Sequence, residues 1–239
     1  MKNLSISVFF PCFNDSSTIV ELVSKTDSIL KKLTSNYEVI VIDDKSEDNS
    51  REKLKEAKKK YKKLKLVFHK QNKGYGGALK TGFKTATKEL VFYTDGDGQY
   101  DVGELPLLID LLTLDVEVVN GIKMDRSDAE YRIFLGNLHK FFNRWVFWLP
   151  IYDVDCDFRL IRKRVLDKII LESNSGSICV ELVKKLERSG ANFREVSVHH
   201  YPRKYGQSQF FRLDRIVKTY VELFKLWINL MIIDLFFVK

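Results

Sequence analysis

The chain has 239 residues, 45% hydrophobic and 30% charged, a makeup that fits a packed globular protein and excludes disorder. Three cysteines, Cys12, Cys156 and Cys179, stand far apart without metal spacing, which excludes a disulfide framework and matches a reducing compartment. The net charge of +8 is local, because residues 51–65 carry nine basic and two acidic residues; the aromatics are not interleaved with them as a nucleic-acid stacking surface would need, so no nucleic-acid partner is expected.

Strand and helix alternate over the first 120 residues. The opening MKNLSISVFFPCFN reads as a first strand, Leu4–Phe10, and not as a signal peptide. Thr18-x-x-Glu21 resembles a capping box opening a helix to about Lys32. Tyr37–Asp43 is a second strand. A Lys-rich amphipathic helix follows, with Leu54, Ala57, Tyr61 and Leu64 at helical spacing, and its basic face suits either solvent or an anionic membrane. Leu64–His69 is a third strand, Gly74–Ala86 a helix and Glu89–Thr94 a fourth strand. Leu105–Leu114 is a helix and Val116–Gly121 a fifth strand. The pattern predicts an α/β fold with a mostly parallel sheet flanked by helices. Beyond it, Ser177–Arg188 reads as a helix and Asn192–His199 as a strand.

Four of these strands end in polar or Gly-rich turns: PCFND, DDKSEDNS, HKQNKGYGG and TDGDGQ. In a parallel sheet such turns converge on one edge, where ligands bind. Asp95-x-Asp97-x-Gln99 offers only oxygen ligands, which hard cations such as Mg²⁺ or Mn²⁺ prefer, and Gly96 and Gly98 let the backbone turn tightly. Gly74, Gly76 and Gly77 suit either close approach to a nucleotide or a tight helix start.

PCFND, VIDDKSEDNS, NKGYGGALKTGF, TDGDGQYD, DCDFRLIRK and REVSVHHYPRKYGQSQF succeed one another in an order that resembles the family 2 glycosyltransferases of the GT-A fold. More closely, they are similar to the polyprenyl-phosphate glycosyltransferases, the group that includes dolichyl-phosphate mannosyltransferase. The resemblance covers about residues 4–212 and implies a Rossmann-like GT-A domain over residues 1–209. It implies that Pro11, Phe13 and Asp15 cradle the nucleotide, that Ile42 and Asp44 hold base and ribose, and that Asp95, Gly96 and Asp97 form the acid-x-acid motif. Asp97 and Gln99 would ligate the metal. Lys123 stands where the family usually has an Arg, and Arg203 matches an Arg that contacts phosphate.

Two departures bear on the donor. Phe13 and Asp15 replace the family's usual Tyr and Glu, and Gln209 occupies a position where mannosyltransferases tend to carry Lys. They weigh against GDP-mannose and leave the donor open between UDP- and GDP-sugars.

The departing diphosphate gains charge as the glycosidic bond breaks, so a cation and Arg203 can stabilise it. An acceptor phosphate is already anionic and needs no strong base, so positioning carries most of the rate. Lys123, Arg126 and Arg132 could hold that phosphate. Asp157 is the candidate near the anomeric carbon, or else a partner for Arg159. His199 and His200 read as structural, and the thiols as inert.

Residues 210–239 form an amphipathic tail. Its last 20 residues have the length of a membrane span but are interrupted by Glu222, Lys225, Asn229 and Asp234, so they read as a helix lying in the interface, or packed on the domain's own core. The expected activity is inverting, metal-dependent sugar transfer to a polyprenyl phosphate at the cytoplasmic face of a membrane, with peripheral or C-terminal anchoring and a membrane subunit among the expected partners. The alternatives are transfer to a glycan or other soluble acceptor, and a non-catalytic sugar-nucleotide-binding protein.

Overall fold

A computed structural model of the protein describes residues 4–124, 141–203, 205 and 213–233. Arg126, Arg132 and Gln209 lie outside the described residues.

The strands β1 (Ser5–Cys12), β2 (Asn36–Asp43), β3 (Leu64–Phe68) and β4 (Leu90–Thr94) alternate with the helices α1 (Ile19–Leu33), α2 (Ser50–Lys60) and α3 (Gly74–Thr85). The helix α4 (Leu105–Leu111) leads to β5 (Val118–Met124), and β6 (Phe158–Arg162), α5 (Lys163–Leu166), α6 (Ile178–Arg188), β7 (Phe193–His199) and α7 (Leu213–Trp227) complete the fold. The seven strands form one sheet in the order β3-β2-β1-β4-β6-β5-β7. Only β6 runs against its neighbours β4 and β5.

Burial explains the pattern. Phe9, Ile40, Ile42, Val91 and Tyr93 point to one side of the sheet, into a core shared with α3, α6 and α7. Val8, Phe10, Val39, Val41 and Phe92 point to the other, against α1, α2 and α4. With both faces covered, β1, β2 and β4 read as continuous apolar runs.

Two sequence expectations change, and one strand appears that the pattern did not mark. β6 was hidden in DCDFRLIRK because Arg159 interrupts its apolar run, yet Arg159 is fully buried. Its guanidinium donates to Asn120 Oδ1 at 2.6 Å, Tyr93 Oη at 2.7 Å and the Val154 carbonyl at 3.1 Å, which satisfies a charge the pattern could not place inside. The capping box does not form, because Thr18 Oγ1 donates to the Gly96 carbonyl at 2.8 Å and makes no cap bond. The Lys-rich helix stops at Lys60, and Leu64 is instead the buried first residue of β3.

The tail packs on the domain. Leu223, Leu226 and Leu230 are buried in the same core as α6, and Trp227 Nε1 donates to the Val146 carbonyl at 3.2 Å. A π-helical turn, Ile228–Ile233, extends α7, and Arg188 donates to the Leu230 carbonyl within it. The expected boundary at 209/210 lies outside the described residues. Among the described residues, no helix is long and apolar enough to cross a membrane.

Candidate active site

Because β1 to β4 are parallel, their carboxyl ends share one edge, and side-chain bonds knit the loops there. Asn14 N donates to Ser46 Oγ at 3.0 Å, Glu47 N to Asn14 Oδ1 at 2.8 Å and Ser16 N to Asp48 Oδ2 at 3.0 Å. These bonds join the first and second loops. Gly96 presses on the first loop so closely that a Cβ there would lie 2.6 Å from the Pro11 carbonyl oxygen. Any side chain at 96 would push the acidic loop off this edge. Gly98 adopts φ +74°, which confirms the tight turn.

The carboxylates sit below this surface. Asp95 Oδ1 accepts from Tyr75 Oη at 2.9 Å. Burial, then the charges of Asp157 and Asp97, pushes the Asp95 carboxyl well above the usual range. Burial likewise raises Asp157, against the pull of Arg159 and Lys123, and raises Asp97 against Arg203. Burial also lifts Asp15 to about 6. Four carboxyls held above their ordinary values, chiefly by burial, meet at one sheet edge, where a bound cation would favour their ionised forms.

Arg203 brings a positive charge to this edge. Its guanidinium donates to Asp97 Oδ2 at 2.5 Å, and Asp97 Oδ1 accepts from Gln99 N at 3.0 Å. The loop carrying Arg203 is clipped to the acidic loop. Tyr201 N donates to the Gln99 carbonyl at 2.8 Å, Gln99 Nε2 donates back to the Tyr201 carbonyl at 3.0 Å, and Tyr100 bridges His200.

The structure thus brings Asp15, Asp95, Gly96, Asp97, Gln99 and Arg203 together, with Asp157 and Lys123 beside them. Lys123 Nζ donates to the Asp155 carbonyl at 2.5 Å. Burial would depress its ammonium, but Asp153 and the neighbouring acids hold it above its ordinary value. Phe13 is half-buried on the first loop, and its N–H donates to Asp15 Oδ2 at 3.0 Å.

Two expected donor contacts read differently. Ile42 is wholly buried in the core, so its side chain presents no surface to a base or ribose. Asp44 is buried as well. Its Oδ1 pairs with His69 Nδ1 at 2.6 Å and accepts from Lys73 N at 2.8 Å, which organises the loop after β3. The glycines at the start of α3 serve the protein's own packing, because a Cβ on Gly76 would lie 2.4 Å from the Ser173 carbonyl oxygen.

Sequence reasoning missed Tyr75 and Cys179. Tyr75 stands among glycines, and that aromatic interruption of a Gly run was the available signal. Cys179 Sγ donates to Asp157 at 3.3 Å, while burial pushes its thiol well up, so it is a buried donor and not a nucleophile.

The all-oxygen donor set fits a hard divalent cation. Among the described residues no three His, Cys, Asp or Glu side chains converge as a metal cage. A hard cation is often held by one or two carboxylates, with substrate phosphate oxygens completing its shell.

A family model, Glycosyl transferase family 2, matches residues 7–170. The chain belongs to glycosyl transferase family 2. Within the family, it is 26% identical over 206 residues to the undecaprenyl-phosphate 4-deoxy-4-formamido-L-arabinose transferase of Pseudomonas fluorescens, covering 86% of this chain and 60% of that protein. It is 28% identical over 206 residues to the transferase of the same name from Aeromonas hydrophila, covering 86% and 62%. The chain thus spans about three fifths of the length of these relatives. Glucosyl-3-phosphoglycerate synthase from Mycobacterium tuberculosis, solved with Mn²⁺, UDP and phosphoglyceric acid, superposes with a TM-score of 0.71 at 16% identity, covering 94% of this chain and 78% of that one. That likeness establishes the GT-A arrangement of this glycosyltransferase.

Proposed function

We propose that this family 2 glycosyltransferase moves a sugar, with inversion, from a UDP- or GDP-sugar to the phosphate of a polyprenyl lipid at the cytoplasmic face of a membrane. The observation that carries the reading is the buried Asp95–Asp97 loop clipped to Arg203. It gathers carboxylates for a cation and a guanidinium for a diphosphate at one edge. The relatives named for undecaprenyl phosphate favour the lipid acceptor.

Asp97 would hold the cation, with Asp95 in support and the Gln99 amide oxygen as a further ligand. Bound Mg²⁺ or Mn²⁺ supplies positive charge to the departing diphosphate. Arg203 meets the same charge from the opposite loop, so its stabilisation grows toward the transition state. Lys123, held cationic among buried acids, sets the charge balance beside Asp157. Asp157 lies next to Asp95 and is the carboxyl assigned to the sugar. Arg126 and Arg132 are assigned to the acceptor phosphate. The tail, with a membrane subunit or further transmembrane helices, holds the enzyme at the bilayer.

A donor panel of radiolabelled UDP- and GDP-sugars incubated with membrane lipid extract tests this. Label moving into the organic phase as a lipid-linked sugar is the expected result. Label confined to soluble glycan would replace the lipid reading with the soluble-acceptor one, and nucleotide binding without transfer from any donor would make the chain a binding protein.

A further inference from the structure

Residues 141–152, FFNRWVFWLPIY, turn aromatic rings outward as well as inward. Helical turns run over residues 141–147. Asn143 and Phe147 on the inner side are buried at 0% and 1%. On the outer side Phe141, Trp145 and Trp148 keep 61%, 65% and 75% of their surface exposed. A spacing of four residues puts Phe141 and Trp145 on one stripe of the helix, their ring centroids 5.8 Å apart, and Trp148 follows in the turn beyond it. Phe142 and Tyr152 flank the stripe, each about half exposed.

Trp148 adds an independent observation. Its φ is +50°, in the left-handed region that bulky side chains avoid. The turn there sends Leu149 and Ile151 into the core while Trp148 faces solvent. Leu149 N donates to the Arg144 carbonyl at 3.0 Å, so Trp148 is the left-handed residue that ends this helix, a position glycine fills at lower cost, and its ring faces solvent there.

Charge selects the occupant. Arg144 is the one charged residue between 141 and 152, and its guanidinium lies 5.7 Å over the Tyr152 ring. Trp227 ties α7 to this segment, and α7 likewise presents Tyr220 and Phe224 outward, 47% and 63% exposed. The α7 carboxylate Glu222 is turned inward, accepting from Ser175 and Ser177. Lys225 is exposed on α7, so both outward faces combine aromatic rings with basic charge. Trp and Tyr rings concentrate at bilayer interfaces, where an apolar body meets a wet rim, and basic residues complement anionic headgroups.

We propose that residues 141–152 form a membrane-docking surface, in which Trp145 and Trp148 enter the headgroup region of an anionic bilayer and Arg144 meets lipid phosphate. The proposal rests on the lipid-acceptor reading, since it explains how the enzyme reaches a phosphate that stays in the membrane.

The test uses the full chain and vesicles of phosphatidylglycerol and phosphatidylcholine. Trp148→Gly relieves the left-handed strain, so thermal unfolding should stay unchanged or rise, while vesicle partitioning falls about tenfold. Trp145→Ser with Trp148→Gly should fall further. Brominated lipids should quench wild-type tryptophan fluorescence, and quench the double variant far less. Transfer to a short, water-soluble prenyl phosphate should be the same in all variants. Partitioning within twofold of wild type in the double variant overturns the docking surface. So does a concentration-dependent dimer in gel filtration that Trp148→Gly dissolves, because the patch would then meet a second copy of this chain. Vesicle docking that obeys these variants without transfer to any prenyl phosphate sinks the lipid-acceptor reading instead and leaves the surface standing.

Discussion

The Arg203 guanidinium lies 2.5 Å from the Asp97 carboxylate, across two loops separated by more than a hundred residues. Asp97 is nearly buried while Arg203 remains part exposed, and the guanidinium, with Lys123 nearby, offsets the charge of that carboxylate. The Asp97 oxygen that Arg203 holds is one that a divalent cation would also use. Arg203→Ala should bind Mn²⁺ several-fold more tightly than wild type without nucleotide, by calorimetry. Its turnover should fall at least tenfold, about 1.4 kcal/mol of lost transition-state stabilisation. A loss under threefold with unchanged Mn²⁺ affinity would reduce Arg203 to a surface cation.

Metal dependence follows from the donor set. Wild type should bind a nucleoside diphosphate far more weakly in excess chelator than with Mg²⁺ or Mn²⁺. Asp97→Asn should bind it weakly in both conditions, because the carboxylate charge is gone while the side-chain shape remains. Equal wild-type affinity with and without chelator would rule this out.

Asp15 makes the fold sensitive to pH. Burial lifts its carboxyl to about 6 in the folded protein, against about 3.9 in an unfolded chain. The unfolded chain thus releases its proton first, and between those values the folded state binds more protons. Stability falls as pH rises through that window, and the penalty is complete above it. Asp15→Asn should therefore stabilise the metal-free protein at pH 7.5 by on the order of 1–3 kcal/mol, and by little at pH 3.5. Urea unfolding at both pH values in chelator measures the difference. Added divalent cation should shrink the gain at pH 7.5.

Gly76→Ala pits two effects against each other. Alanine favours a helix over glycine by about 1 kcal/mol. Its methyl carbon would meet the Ser173 carbonyl at 2.4 Å, a backbone atom that cannot swing aside. Overpacking of that kind costs about 1–3 kcal/mol, so net destabilisation is expected. Tyr75 moves with this turn, so its bond to Asp95 should loosen and turnover should drop more than stability does. A lowered thermal midpoint with wild-type turnover would separate the turn from the site.

Deleting the chain from residue 210 onward should unfold it and not merely release it from membranes. Leu223, Leu226 and Leu230 would leave the core, and a buried leucine contributes about 1.5–3 kcal/mol. Three such losses consume most of the roughly 5–15 kcal/mol that stabilises a domain. Circular dichroism of the shortened protein checks this; a folded product with a near-native midpoint would show that α7 is dispensable.

The sequence by itself determined the parallel first half of the sheet. Apolar runs such as SVFF and EVIVID, each followed by a polar turn, have a single low-cost arrangement: buried strands whose loops meet at one edge. The Asp95-x-Asp97 motif was legible for the same reason, since local spacing fixes what one loop can offer. Tertiary structure alone decided the rest. β6 was illegible because Arg159 becomes tolerable inside only when Asn120, Tyr93 and Val154 surround it. Asp44 and Ile42 carried the right motif, but burial and the His69 contact set what their side chains can touch. The Arg203–Asp97 pair, the Gln99–Tyr201 clip and the Tyr75–Asp95 bond join residues distant in the chain. Nothing in local propensity encodes such contacts, because their energy arises only after the sheet has brought the loops within hydrogen-bond reach.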